Sequence, residues 1–150
     1  MALPEQLRLE SQICLSLYSA TNALIRAYRP LLEPLGLTYP QYLVMLALWE
    51  TDHQSVKGIC SRARLETGTV TPLLKRLEAK GLIERARSRT DERMRVISLT
   101  AEGRKLRRRA ESVPAGLACL ELLSAEEGAE IKRLAERLYR NVVEHLGDGD

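Results

Sequence analysis

The stretch from Val56 to Leu99 constrains this chain most, because it places two helical patterns and a hairpin in an order that few folds accommodate. Val56, Ile59, Cys60 and Ala63 recur at i, i+3, i+4 and i+7, so a first helix must bury one face. Arg64-Leu65-Glu66 joins it to a second helix, for which Thr67 is the expected N-cap and whose apolar face is Val70, Leu73, Leu74 and Leu77. Gly81 follows as a residue able to take positive φ past the helix end. Leu82-Ile83-Glu84-Arg85 and Val96-Ile97-Ser98-Leu99 then read as two short strands, and the segment between them, Ala86 to Arg95, is too charged to bury.

The second helix turns Thr67, Thr69, Thr71, Pro72, Lys75 and Arg76 away from its apolar face. Short hydroxyls at a helix start, followed a turn later by cations, suit an element lying in a major groove. Pro72 is tolerable only near a first turn, which sets the start at Thr67 or Thr69. Between the strands stand Arg87, Arg89, Asp91, Arg93 and Arg95, and arginines on such a tip can enter a minor groove while neighbours meet phosphates. Helix, turn, helix and basic hairpin together make a winged helix-turn-helix, with double-stranded DNA as the expected partner. Charge agrees. Lys57 to Arg109 holds 16 Lys/Arg against 6 Asp/Glu, whereas the remainder holds 7 against 14, a basic centre in an acidic frame.

At 150 residues the chain fits one domain. No secretory signal and no apolar run long enough for a bilayer is legible, so a cytoplasmic location without a membrane partner is expected. Cys14, Cys60 and Cys119 are widely separated, with no CxxC pair, and His53 and His145 stand at no metal-ligand spacing. Neither metal nor cofactor is expected. Without a glycine-rich phosphate loop or a nucleophile elbow, no enzyme is expected either.

Upstream, from about Leu7 to Leu32, Ile13, Leu17, Ala20, Leu24, Ala27 and Leu31 alternate steps of four and three, a seam for packing on another helix. Cys14 lies beside that seam, with Tyr18, Ile25 and Tyr28 within about 40° of it on a helical wheel. Pro30 is expected to end the helix softly and Pro34 firmly. Thr38 then caps a largely core helix with Pro40 in its first turn and Trp49 as a packing residue. Thr51 to Gln54 reads as a polar break. After the wing, a long helix opening at Thr100 is expected to kink at Pro114 and Gly116, and Ser124-x-x-Glu127 matches a capping box for a last helix carrying Ile131, Leu134, Leu138, Val142 and Leu146. The terminal seams, about 1–35 and 101–147, exceed what a DNA lobe of about 38–100 can cover. The expectation is a mainly α fold with a small β-wing, its N- and C-terminal helices forming a dimerisation module. Two-fold symmetry would set two recognition helices about 34 Å apart, matched to a palindromic operator.

Four segments carry a family resemblance: Cys14-Leu15-Ser16-Leu17-Tyr18-Ser19-Ala20, Leu37-Thr38-Tyr39-Pro40-Gln41-Tyr42-Leu43-Val44-Met45-Leu46, Gly68-Thr69-Val70-Thr71-Pro72-Leu73-Leu74-Lys75-Arg76-Leu77-Glu78, and Asp91-Glu92-Arg93. In these the chain resembles the multiple-antibiotic-resistance regulator (MarR) family, and more narrowly its OhrR branch, which senses organic hydroperoxides. The resemblance implies a dimeric repressor that leaves its operator when a peroxide oxidises Cys14. It also implies that Tyr28 and Tyr39 of the partner subunit donate hydrogen bonds to that thiolate, with Tyr18 nearby, and that Asp91 braces Arg93 for the minor groove. In two-cysteine members a cysteine of the fifth helix resolves the sulfenic acid as an intersubunit disulfide, a pattern that Cys119 fits and Cys60 does not. Cys60 reads as a small core residue.

The chemistry is sound in itself, since the thiolate is the reactive form of a cysteine and each hydrogen bond to a charged group contributes about 1.5–3 kcal/mol. The alternative is a non-redox regulator released by a small phenolic or carboxylic ligand, with Tyr18, Tyr28 and Arg26 in its pocket. A thiol peroxidase would leave the basic helix pair and wing without a use. The operator, the regulated genes and the preferred oxidant are not written in the residues.

Overall fold

The computed structural model describes residues 2–147, which fold as two compact units, one up to Leu117 and one from Ala118. The first opens with two single 3-10 turns, Glu5–Leu7 and Leu9–Ser11, before helix α1, Ile13–Leu32. The helix expected from about Leu7 therefore starts a turn and a half later. The Gln12 side-chain amide explains this: it donates to the carbonyls of Gln6 (2.7 Å) and Arg8 (3.0 Å), acceptors a continuous helix would have used. At the other end α1 runs through Pro30 to Leu32 and gives way to a 3-10 turn over Glu33–Leu35, with Gly36 at φ +66°.

Helix α2, Tyr39–Glu50, begins where Thr38 predicted. The Gln41 amide N–H donates to Thr38 Oγ1, and Gln41 Oε1 accepts from the Thr38 N–H at 3.1 Å, a reciprocal capping box. Tyr42, Val44, Met45, Ala47 and Leu48 are all buried on it. A helix apolar on every side must be covered on every side. Accordingly α1, helices α3 (Val56–Ala63), α4 (Thr67–Ala79) and α5 (Ala101–Ala110), and strand β3 (Arg95–Leu99) pack around it.

Ser55 caps α3 through the Gly58 N–H (3.0 Å), and Arg64 ends it at φ +54°. The cap of α4 is Glu66, not Thr67: the amides of Thr69 and Val70 both bond to the Glu66 carbonyl, which makes Thr67 the first helical residue. At the C-terminus Gly81 takes φ +71°, with its N–H on the Glu78 carbonyl and the Leu82 N–H on that of Leu77. This is the paired bonding of a Schellman end. The hairpin is longer than the sequence suggested, β2 spanning Ile83–Arg87, and it has a third strand, β1 (Gln54–Ser55), where a plain polar break was expected. The order is β1-β3-β2, all antiparallel, with Ile83 opposite Leu99 and Arg87 opposite Arg95.

Thr100 caps α5 through the Gly103 N–H (3.0 Å). The expected kink is a break at Glu111, after which α6, Ser112–Ala118, starts afresh. Pro114 lacks the N–H that would have bonded to Ala110, so the helix cannot pass through unbroken. Cys119 lies in the turn after α6 rather than inside a fifth helix.

The second unit is dominated by α7, Ala125–Leu146, started by the Ser124/Glu127 capping box with bonds of 2.8 and 3.1 Å. Ile131, Leu134, Leu138 and Val142 are exposed on it, and in the first unit Ile13, Leu17 and Leu24 are exposed on α1.

Gly103 is where two elements come closest: a Cβ there would sit 2.1 Å from the Leu82 carbonyl oxygen, whereas at Gly68, in α4, it would meet nothing within 4 Å. Gly103→Ala is expected to destabilise by about 2 kcal/mol or more although alanine is the better helix former, and Gly68→Ala to stabilise by about 0.4–1 kcal/mol. Urea midpoints at one fixed protein concentration measure both.

Candidate nucleic-acid interface and thiol site

Helix α4 separates its two jobs cleanly. Val70, Leu73, Leu74 and Leu77 are buried, while Thr67, Thr69, Pro72, Lys75 and Arg76 are exposed and Thr71 is half-buried. Pro72 is the sixth residue of the helix, deeper than a first turn, and its ring faces solvent. Glu78 at the far end of α4 binds Arg85 of β2, with the guanidinium Nε at 2.7 Å and a second nitrogen at 2.6 Å. The Arg85 side-chain hydrogen bonding holds the Glu78 carboxyl below the usual range against an opposing desolvation. This clamp, absent from the sequence reading, fixes the wing to the helix that precedes it.

At the wing tip Ser88 organises the turn. Its Oγ accepts from the Thr90 and Asp91 amides (3.2 and 3.3 Å), and its N–H reaches the Met94 carbonyl (2.8 Å). Asp91 Oδ1 accepts from the backbone N–H of Arg93 at 3.0 Å, so it braces the main chain at Arg93. Arg87, Arg89, Arg93 and Arg95 are all exposed, and register sets Arg87 directly across from Arg95. Like charges facing each other across a ladder cost stability. A nearby polyanion would remove that cost.

The base of the wing is held by Asp52, which sequence reasoning left in a polar connection. Oδ1 accepts from the backbone N–H of Leu99 and of His53, each at 2.8 Å, and Oδ2 lies 3.0 Å from the Arg104 guanidinium and 3.8 Å from His53 Nε2. Partial burial pushes its carboxyl up, but the hydrogen bonds from Leu99, His53 and Arg104 outweigh this and leave it below the ordinary value. His53 sits at φ +58°, which turns the chain so that Asp52 reaches β3 and α5 together. The only sequence signal was the Asp-His pair at a chain reversal. Beside it, Trp49 donates its indole N–H to the Gly103 carbonyl (2.9 Å), in keeping with a packing residue.

Cys14 is exposed in the first turn of α1, and Tyr18, one turn on, is 71% exposed. Tyr28 is different. Fourteen residues separate it from Cys14, roughly 21 Å of helix at about 1.5 Å per residue. It is half-buried with its ring centroid 4.9 Å from Tyr39 and 6.1 Å from Tyr42, and Tyr42 continues the cluster to Trp49 at 6.5 Å. Tyr42 was not singled out from the sequence. Burial raises the phenols of Tyr28, Tyr39 and Tyr42, and the neighbouring Tyr28 raises the latter two further. All three stay protonated at neutral pH and can donate. Cys119 is exposed in the second unit, and Cys60 is half-buried against the core with Sγ 3.8 Å from Thr67 Oγ1. Among the described residues no group of His, Cys, Asp and Glu could hold a metal ion, and no helix is long and apolar enough to cross a membrane.

Comparison with known proteins decides what this arrangement belongs to. The profile of the SarA/Rot transcriptional regulators matches residues 26–109. The organic hydroperoxide resistance transcriptional regulator of Bacillus subtilis is 42% identical over 135 residues, 90% of each chain. The chain belongs to the MarR family of transcriptional regulators. Its relatives are named as transcriptional regulators, a non-enzymatic class of DNA-binding proteins. Among solved structures, reduced AbfR bound to DNA superposes with a TM-score of 0.77 at 36% identity, covering 95% of this chain and 96% of that one. The disulfide form of AbfR, from Staphylococcus epidermidis, superposes with 0.61 at 36% identity, covering 95% and 94%.

In this MarR-family chain Asp52 ties the wing to α5, and its effect on stability has a definite pH signature. A depressed folded-state pKa contributes stability above the ordinary carboxylate value that is lost as pH falls through the depressed one. Asp52→Ala is expected to cost about 1–3 kcal/mol near neutral pH. The gap from wild type should close on acidification, as read by urea unfolding across pH.

Proposed function

We propose that the protein is a dimeric repressor that reads a palindromic operator with α4 and the wing, and lets go when an organic hydroperoxide oxidises Cys14. One observation carries the reading: the exposed thiol of Cys14 and the Tyr28–Tyr39 donor pair lie on one chain but too far apart along α1 to meet. A second protomer laid along the uncovered Ile13, Leu17 and Leu24 stripe would bring the partner's phenols to each thiol. The protonated phenols of Tyr28 and Tyr39, with Tyr18 close by, would then stabilise the thiolate, the form that attacks peroxide.

Oxidation would replace that charge by a sulfenic acid; the thiol of Cys119 of the partner subunit would then attack the oxidised sulfur, forming an S–S bond as the S–O bond breaks and the hydroxyl leaves as water. That AbfR has a reduced, DNA-bound form and a disulfide form supports a disulfide as the oxidised state; an overoxidised AbfR is also bound to DNA, in keeping with the disulfide and not oxidation alone as the releasing change. In the same reading Thr67, Thr69, Thr71, Pro72, Lys75 and Arg76 face the major groove. Arg93, braced by Asp91, enters the minor groove, flanked by Arg87, Arg89 and Arg95.

For DNA binding, the log-affinity against log-salt slope is expected to have a magnitude of several and to fall by about one in Arg87→Ala. For sensing, Cys14→Ser should bind operator as wild type does and fail to release it on stoichiometric organic hydroperoxide. Cys119→Ala should still respond but yield no disulfide-linked dimer on non-reducing electrophoresis. Release by Cys14→Ser under peroxide would overturn the redox mechanism, and release by an aromatic carboxylate in excess reductant would point to a ligand-driven regulator.

A further inference from the structure

One side of α4 holds a residue of the wrong sign for a surface that meets a polyanion. Thr67, Thr71, Lys75 and Glu78 follow at i, i+4, i+8 and i+11, so a carboxylate closes a row otherwise made of hydroxyls and a cation. That carboxylate is turned onto Arg85 of β2, with two guanidinium nitrogens at 2.7 and 2.6 Å. Register explains why Arg85 is there to meet it. Ile83 lies opposite Leu99, Arg85 opposite Ile97 and Arg87 opposite Arg95, so these pairs share one face of the hairpin. The face is buried at Ile83, Leu99 and Ile97 and open at Arg87 and Arg95. Arg85 stands where the hairpin leaves the core, its side chain 21% exposed and that of Glu78 38%. A pair this open to water adds little to stability. What it does fix is the place of the wing relative to α4.

We propose that Glu78 is a positioning residue for DNA reading: through Arg85 it holds the wing at one offset from α4, and so favours duplexes whose major-groove bases and neighbouring minor groove match that offset. The inference rests on the reading that α4 and the wing enter adjacent grooves of one duplex. Two contacts carried on a rigid body are ordered in a single step, whereas a wing free to swing must be ordered separately when it binds. Binding without sequence preference comes from charge and needs no offset. The sign of the effect therefore separates positioning from plain electrostatics. Removing an acid beside DNA raises affinity for every duplex, while losing the clamp lowers it for the matched duplex alone. A loss of folded protein lowers both alike.

The test uses full-length protein under reductant and two probes: a duplex that wild type selects from a randomised pool, and a scrambled duplex of the same length and composition. The readout is the ratio of the two affinities, because a change in net charge moves both. Glu78→Met is expected to bind the selected duplex about tenfold more weakly and the scrambled one as tightly as wild type or more so. Glu78→Gln, which keeps one acceptor for Arg85, should fall between, and it serves in place of Glu78→Met if that variant does not fold. In Glu78→Met/Arg85→Met the ratio should drop no further than in the worse single variant, since each change breaks the same clamp. A ratio unchanged or raised in the Glu78 variants, or losses that add in the double variant, would overturn the role of Glu78 while leaving DNA reading intact. A wild type that enriches no duplex would overturn both.

Discussion

The structure of the first unit depends on helix α2 having no polar face. Val44, Met45 and Leu48 are fully buried on it, and its one buried polar side chain among the described residues, Gln41, is bonded at Oε1 by the Thr38 amide and by Lys80 Nζ at 2.9 Å. Everything else in that unit is placed by the need to cover this helix. The recognition helix α4 and the thiol-bearing helix α1 both rest on it, so they share one layer of close-packed side chains. Interiors of that density transmit displacement rather than absorb it. In the proposed mechanism a change at α1 would reach α4 through this shared layer, without a long relay.

Charge is sorted by the same packing. Several cations of the basic centre are paired within the chain: Arg85 on Glu78, Arg104 on Asp52, Arg62 on Glu50, Lys80 on Gln41 and the Gly36 carbonyl, and Arg109 on the Pro34 carbonyl. Lys75, Arg76, Arg87, Arg89, Arg93 and Arg95 are held out in solvent on α4 and the wing. Net charge alone could not make this distinction. Two of the internal ties act on the wing at different ends, Glu78–Arg85 on β2 and Asp52–Leu99 on β3, so the loop is presented by a hairpin anchored on both strands.

The helices were legible where periodicity and caps agreed, as at Thr38, Ser124 and the Schellman turn at Gly81. They were misjudged where a side chain competed with the backbone. Gln12 takes two carbonyls and delays α1, and Pro114 breaks at Glu111 what periodicity read as one helix. The third strand was missed because two residues, Gln54 and Ser55, carry no alternation to read. Among candidate site residues, the split of α4 into buried and exposed faces followed from spacing. Asp52 and Tyr42 did not, since their partners lie 47 residues away at Leu99 and in a cluster that only tertiary packing assembles.

The distance between Cys14 and Tyr28 bears on how such a switch stays quiet. In a single chain the thiol is exposed and the phenols of Tyr28 and Tyr39 pack in a cluster of aromatic rings well along the helix from it, so neither half completes the other. Phenols are protonated at neutral pH and burial raises these two further, so they stay donors; a phenolate beside a thiolate would repel it and remove the donor at once. In the proposed dimer each thiol is completed by the other chain. The association that sets the spacing of two recognition helices would then also assemble the sensor, and a protomer unable to grip its operator would be equally unable to sense peroxide.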